Sequence, residues 1–163
     1  MAGTIDKEAL RRALLEALRG ARDTVAAAQR TSQEGVTHED ARSEGDKDMR
    51  ATEASYVARG QAMRVEALEG DIGRVINVKL RAFGDDDPVA LGAVVTLDGE
   101  GGTRRIFVAP AGGGERIEAG GVVVSVVTPS SPLGRALIGQ HVGDEVRYRR
   151  GDIEDQSEIV EIA

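Results

Sequence analysis

Six carboxylates gather between residues 34 and 48 (Glu34, Glu39, Asp40, Glu44, Asp46 and Asp48), with only Arg42 and Lys47 against them. The densest stretch, residues 43–49, reads SEGDKDM and sets Glu44, Asp46 and Asp48 around Gly45. Crowded carboxylates repel one another. Sharing a divalent cation relieves that repulsion, and hard oxygen ligands are what Mg2+ takes. Two readings follow. In one, the stretch is a solvated loop in which Ser43 or Asp46 caps a following helix, its acids favoured by the positive end of the helix dipole. In the other, Asp46 and Asp48 face a cation, and Glu44, with Glu39 or Asp40, assists them.

Other residue types offer less. His38 and His141 are the only histidines; they lie far apart, and neither has a neighbour at metal or triad spacing. The glycine run AGGGE (111–115) sits between apolar runs and reads as a turn, not as a phosphate cradle. The chain has no cysteine, so no disulfide framework forms and a cytoplasmic setting is the default. A net charge of −7 argues against simple electrostatic binding to duplex nucleic acid. Two Phe, two Tyr and no Trp leave few stacking platforms for single strands. No apolar run approaches the roughly 18 residues of a membrane span, and the N-terminus lacks the order of a signal peptide. These features predict a monomer with no stably bound cofactor and no membrane or sequence-specific nucleic-acid contact, acting through a protein partner.

The acids must be held by the elements on either side. Leu14, Leu18, Ala21, Val25 and Ala28 follow a 4, 3, 4, 3 spacing, the seam of a coiled coil, on a helix capped by Thr4 or Asp6 and running to about Arg30. Ala51, Ala54, Ala58, Gln61, Val65, Leu68 and Ile72 form a second seam. Two seams in one chain cover each other, which predicts an antiparallel hairpin with arms of about 25 residues, or about 37 Å at 1.5 Å per residue. The acidic stretch then lies at its tip. From about Ile72 the composition shifts to Val, Ile and Gly. The runs 72–80, 89–98, 103–110 and 120–129, the segment GDEVRYRR and the C-terminal QSEIVEIA read as antiparallel strands between glycine-rich turns. Between them, Ser131 suits an N-cap, Pro132 the first helical position and Gly139 the end of a short helix. The fold class is α+β, with a helical hairpin over 1–73 and a small antiparallel sheet domain with one short helix over 74–163. RYRR (147–150) with Arg104 and Arg105 is expected to make a basic face on that sheet, and DDD (85–87) a solvated loop.

The segment VTPSSPLGRALIGQHVGDEV (127–146) resembles the C-terminal signature of the bacterial Gre-type transcript-cleavage (elongation) factors. Its matching residues are Ser131, Pro132, Leu133, Gly134, Arg135, Ala136, Leu137, Ile138, Gly139, Gly143 and Asp144. The resemblance covers the C-terminal half well; the N-terminal half matches in plan, a helical hairpin before a sheet domain. It implies an FKBP-like C-terminal domain that docks at the mouth of the RNA polymerase secondary channel, here through Ser131, Pro132 and Arg135. It also implies a coiled coil presenting tip acids to the polymerase active centre, where they share Mg2+ with the polymerase during transcript cleavage. Such a protein is no enzyme itself: it lends ligands to two-metal phosphoryl chemistry. Gly45 and Asp46 match the family's tip Gly-Asp. Met49 stands where the family has glutamate, with Asp48 one place earlier, and Tyr56 stands for the family tyrosine after an insertion of about three residues. Shortened relatives of the family bind polymerase without the cleavage acids, so a competitor or inhibitor lacking cleavage activity is the alternative, and a coiled-coil adaptor for another partner is a further one. Prolyl isomerase activity, which an FKBP-like domain invites, would need an aromatic-walled pocket, and only Phe83, Phe107 and Tyr148 are at hand.

Overall fold

The structure is a computed structural model that describes residues 4–39 and 44–163, with side chains described for all of these except residues 33, 35–39 and 44–47. Two long helices, α1 (Lys7–Glu39) and α2 (Glu44–Asn77), form a helical hairpin. Asp6 starts α1: its carboxylate accepts from the Ala9 amide at 2.9 Å and its carbonyl from the Leu10 amide at 3.1 Å. The helix runs past the expected end at Arg30. Thr31 and Ser32 donate their hydroxyls back to the carbonyls of Ala27 and Ala28, at 3.1 and 3.0 Å, so these residues stay in the helix instead of opening a turn. With 33 and 34 residues, each helix is about 50 Å long, not 37 Å. Asp46 lies inside α2 and does not cap it; Ser43 lies outside the described residues.

The second seam is buried or half-buried at Ala54, Ala58, Gln61, Val65, Leu68 and Ile72, while Ala51 is exposed. In α1 the seam holds from Leu14 to Val25, but half-burial then falls on Gln29 and Ala28 is exposed.

The expected strand over 72–80 is helix as far as Asn77. Ile72 and Val75 continue the seam at spacings of 4 and 3 and are buried, and this packing outweighs the preference of β-branched residues for strands. The exposed end of α2 is closed by Arg11, which donates to the carbonyls of Ile76 and Val78 at 3.2 Å each, and by Asn77, whose amide donates to Gly73 at 2.8 Å.

Six strands follow: β1 (Val94–Gly99), β2 (Gly102–Val108), β3 (Arg116–Ala119), β4 (Val122–Val127), β5 (Glu145–Arg150) and β6 (Ile153–Ile162). The short helix α3 (Pro132–Leu137) precedes β5. They make one sheet in the order β3-β4-β2-β1-β6-β5. The sheet is dominated by antiparallel pairs, as expected; β2 with β4 alone run parallel among the described pairs. The cause is β3, which sequence reading missed. It pairs with β4 through the two-residue turn Gly120–Gly121, both at positive φ, and so returns β4 beside β2 in the same direction. One sheet face carries Val95, Leu97, Ile106, Val108, Val146, Tyr148 and Ile159, covered by Leu133 and Leu137 of α3. Val94, Thr96 and Phe107 are buried on the other.

The chain divides into two compact units. One comprises Met1–Ala17 with Gly73–Ala163, the other Leu18–Ile72. In the first, Leu10, Leu14, Val75 and Val78 are buried, and Leu14 lies directly against Gly112. Among the described residues of the second, Leu18, Leu68 and Ile72 are buried.

Candidate functional site

The acidic stretch runs from the end of α1 into the start of α2 in sequence. Asp40 and Ser43 lie outside the described residues, as do the side chains of Glu39, Glu44, Asp46 and His38. Asp48 is exposed on α2, and its carbonyl accepts the Thr52 hydroxyl at 2.7 Å. Since α2 starts at Glu44, positions 46 and 48 are about 200° apart around its axis, whereas 44 and 48 are roughly one turn apart. Among the described residues no group of three His, Cys, Asp or Glu stands close enough to hold a metal ion. Met49 and Tyr56 are exposed on the same helix.

The second candidate region is α3 and its approach. Ser131 caps the helix: its Oγ accepts from the Gly134 amide at 3.0 Å and donates to the Thr128 carbonyl at 2.8 Å. Pro132 follows at the first turn. A Cβ on Gly134 would stand 1.9 Å from the Thr128 carbonyl oxygen, so only glycine allows the helix to seat there. Arg135 is exposed and donates to the Ser130 carbonyl at 2.5 Å. After α3 the Gly139 amide donates to the Val89 carbonyl at 2.9 Å, and the Val89 amide donates to the Gln140 carbonyl at 2.8 Å. Ser131 and Gly134 thus build the helix, and Pro132, Arg135 and Ile138 present its outer surface.

Sequence reading missed a third feature, on the α3 side of the sheet. Arg104 meets Asp155 at 3.1 Å, and the Tyr148 hydroxyl donates to the same carboxylate oxygen at 2.7 Å. The Tyr148 hydroxyl bond, then the Arg104 guanidinium, hold the Asp155 carboxyl below its usual range; burial raises the Tyr148 phenol. The signal was alternation. Arg104 faces Leu97 across the ladder while Arg105 faces Thr96, so neighbouring arginines point to opposite sides. The expected single basic face is therefore absent: Arg147 and Arg149 lie on the side opposite Tyr148 and Arg150, with Arg149 across from Glu154. The three aromatics of this half are also engaged. Phe107 is fully buried, Tyr148 joins the core, and Phe83 lies between Lys7 and Arg81, with the Lys7 Nζ 4.5 Å and the Arg81 guanidinium 3.8 Å from the ring centre. No helix among the described residues is long and apolar enough to cross a membrane.

A helical hairpin followed by a six-stranded sheet with one short capped helix defines the class of protein. Residues 84–163 match the family model described as "Transcription elongation factor, GreA/GreB, C-term", and this domain belongs to the Gre-type elongation factor family. Similar solved structures include the transcription factor Gfh1, at 20% identity over 94% of this chain and 93% of that one, with a TM-score of 0.41. GreA factor homolog 1 of Thermus thermophilus aligns at 16% identity over 91% and 94%, with a TM-score of 0.38. The prokaryotic elongation factor GreA/GreB from Nitrosomonas europaea aligns at 17% over 58% and 77%, at 0.33. At these TM-scores the superpositions carry no argument, and the family rests on the C-terminal match. No curated protein matches the sequence.

Proposed function

We propose that this protein is a cytoplasmic elongation factor that binds RNA polymerase at its secondary channel, anchored by the sheet domain, and directs the acids between α1 and α2 toward the active centre. The observation that carries this reading is the family match over residues 84–163, which contains the whole α3 signature. Pro132 and Arg135 are the proposed docking residues, with Ser131 holding the turn that presents them. The length of α1 and α2, about 50 Å each, supports a hairpin that reaches into a channel.

Asp46 and Asp48 are the proposed ligands to Mg2+ shared with the polymerase, and Glu44, one turn before position 48, is the partner best placed to act with Asp48. The ion would supply charge neutralisation and an activated water for hydrolysis of the transcript; the chain supplies carboxylates alone. A second reading is favoured by one residue: Met49 occupies the position of the family's glutamate, so the protein would occupy the channel and modulate or inhibit elongation without cleavage.

The deciding experiment is a cleavage assay on backtracked polymerase with the wild type, Asp46→Ala, Asp48→Ala and the double variant. Lent ligands predict stimulated cleavage that drops at least tenfold in the double variant while polymerase binding is kept. Binding without stimulated cleavage in the wild type selects the inhibitor reading. Absence of binding to core polymerase at low salt removes both.

A further inference from the structure

The seam explains one side of α2; the opposite side is unaccounted for. Met49, Tyr56 and Met63 recur every seven residues and are 74%, 69% and 64% exposed. On a helix such positions form one stripe along one face, and this stripe lies opposite Gln61, Val65 and Leu68 of the seam. Thr52, Gly60, Ala67 and Gly70 complete it, so from Met49 to Gly70 the stripe is uncharged in a helix otherwise rich in charge, and Arg74 ends it. Gly60 costs about 1 kcal/mol relative to alanine in a helix interior, yet a Cβ there would meet nothing within 4 Å. Nothing in this chain's own packing calls for that glycine. A backbone approaching from outside would. Beside Tyr56 the surface also forms a shallow groove, lined by Asp48, Ala51, Thr52, Ser55 and Arg59.

We infer that this face of α2 is a docking surface for an α-helix of a partner protein, with Met49, Tyr56 and Met63 as anchors. A seven-residue repeat of apolar anchors is complementary to another helix and to little else. The rim names the kind of partner. Asp48, Arg59 and Glu66 flank one side, and Glu53 and Arg64 the other. If two copies paired their stripes antiparallel about Tyr56, Asp48 would face Glu66; paired parallel and in register, Asp48 would face Glu53. Both arrangements set acid against acid, so the face suits a different chain. The rims carry three acids against two arginines, a balance that disfavours nucleic acid. Three anchors expose only a few hundred Å2, well short of the roughly 800 Å2 per partner of a stable interface. The stripe is therefore a secondary contact in a complex anchored elsewhere, where an effective concentration set by the first contact makes a small patch count. The occupant rests on the function proposed above: it is a helix of RNA polymerase flanking the path of the hairpin.

The test replaces Met49→Gln, Tyr56→Gln and Met63→Gln together in the full chain, keeping helix propensity. The expected result is at least tenfold weaker binding to core polymerase with an unchanged far-UV spectrum. A photo-reactive residue at position 56 should in addition form a crosslink that maps to a helical segment of polymerase. If the wild type binds and the triple variant binds equally well, or the crosslink falls outside a helix, the docking face is wrong while the function stands. If the wild type does not bind polymerase, both fall. A concentration-dependent dimer in sedimentation that the triple variant abolishes would assign the face to a second copy and overturn the inference.

Discussion

Gly134 and Lys7 show how single residues join the chemistry of this fold to its geometry. The signature around Gly134 looks like a recognition motif, but its glycine is demanded by a carbonyl 1.9 Å from where a Cβ would stand, and its serine by an open helix end. What is left to meet a partner is the outer surface at Pro132 and Arg135. Lys7, the first residue of α1, points its ammonium at the Arg81 carbonyl and over Phe83. Burial first, and the Arg81 charge second, lower it from 10.5 to about 8. Between these two values the unfolded chain holds a proton that the folded chain has released. Stability from this group therefore rises as pH climbs through that window and is flat below it. Urea midpoints measured from pH 7 to pH 10 should rise for the wild type relative to Lys7→Met; parallel curves would show that Lys7 titrates normally.

At the scale of elements, the hairpin is two helices with unequal packing along their length. Leucines and isoleucine close the seam at Leu14, Leu18, Leu68 and Ile72, while from Ala21 to Gln29 and from Ala54 to Val65 it is only half-buried, through small residues. Gln61 sits in this weaker part with its Oε1 buried and unbonded. An unsatisfied buried acceptor costs on the order of 1–3 kcal/mol, and leucine at that site removes the cost. Gln61→Leu should thus raise the stability of the hairpin by about 1 kcal/mol or more, read from slower hydrogen exchange in Leu18–Ile72. Faster exchange would mean that the amide finds a partner in solution. The seam itself was legible because a 3.5 repeat survives any surroundings. The end of α2 was not, because Ile72 and Val75 carry a strand preference that burial overrides.

The whole molecule groups the first 17 residues with the sheet, although they begin the helix that leads away from it in sequence. Leu10, Leu14 and Leu15 are buried within that unit. Removing residues 1–17 should therefore destabilise the sheet domain by on the order of 5 kcal/mol, two or three large-to-small losses at once. Thermal melts of a 73–163 fragment should fall well below those of the same domain in the full chain, with increased binding of an apolar dye. Equal melting would show that the sheet domain closes without α1.

By itself the sequence determined what is local or periodic: two helix seams, the capped helix at Ser131–Pro132, and the strand runs closed by glycine. Each depends on neighbours within a few residues, so its cause is written in the chain order. Tertiary structure alone decided the rest. The continuation of α2 to Asn77, the parallel pairing of β2 with β4 through the short β3, the sides to which Arg104 and Arg105 point, and the grouping of Leu10 and Leu14 in one compact unit with the sheet all depend on contacts between residues distant in sequence. The free energy of burial acts across those distances, and no local spacing records it.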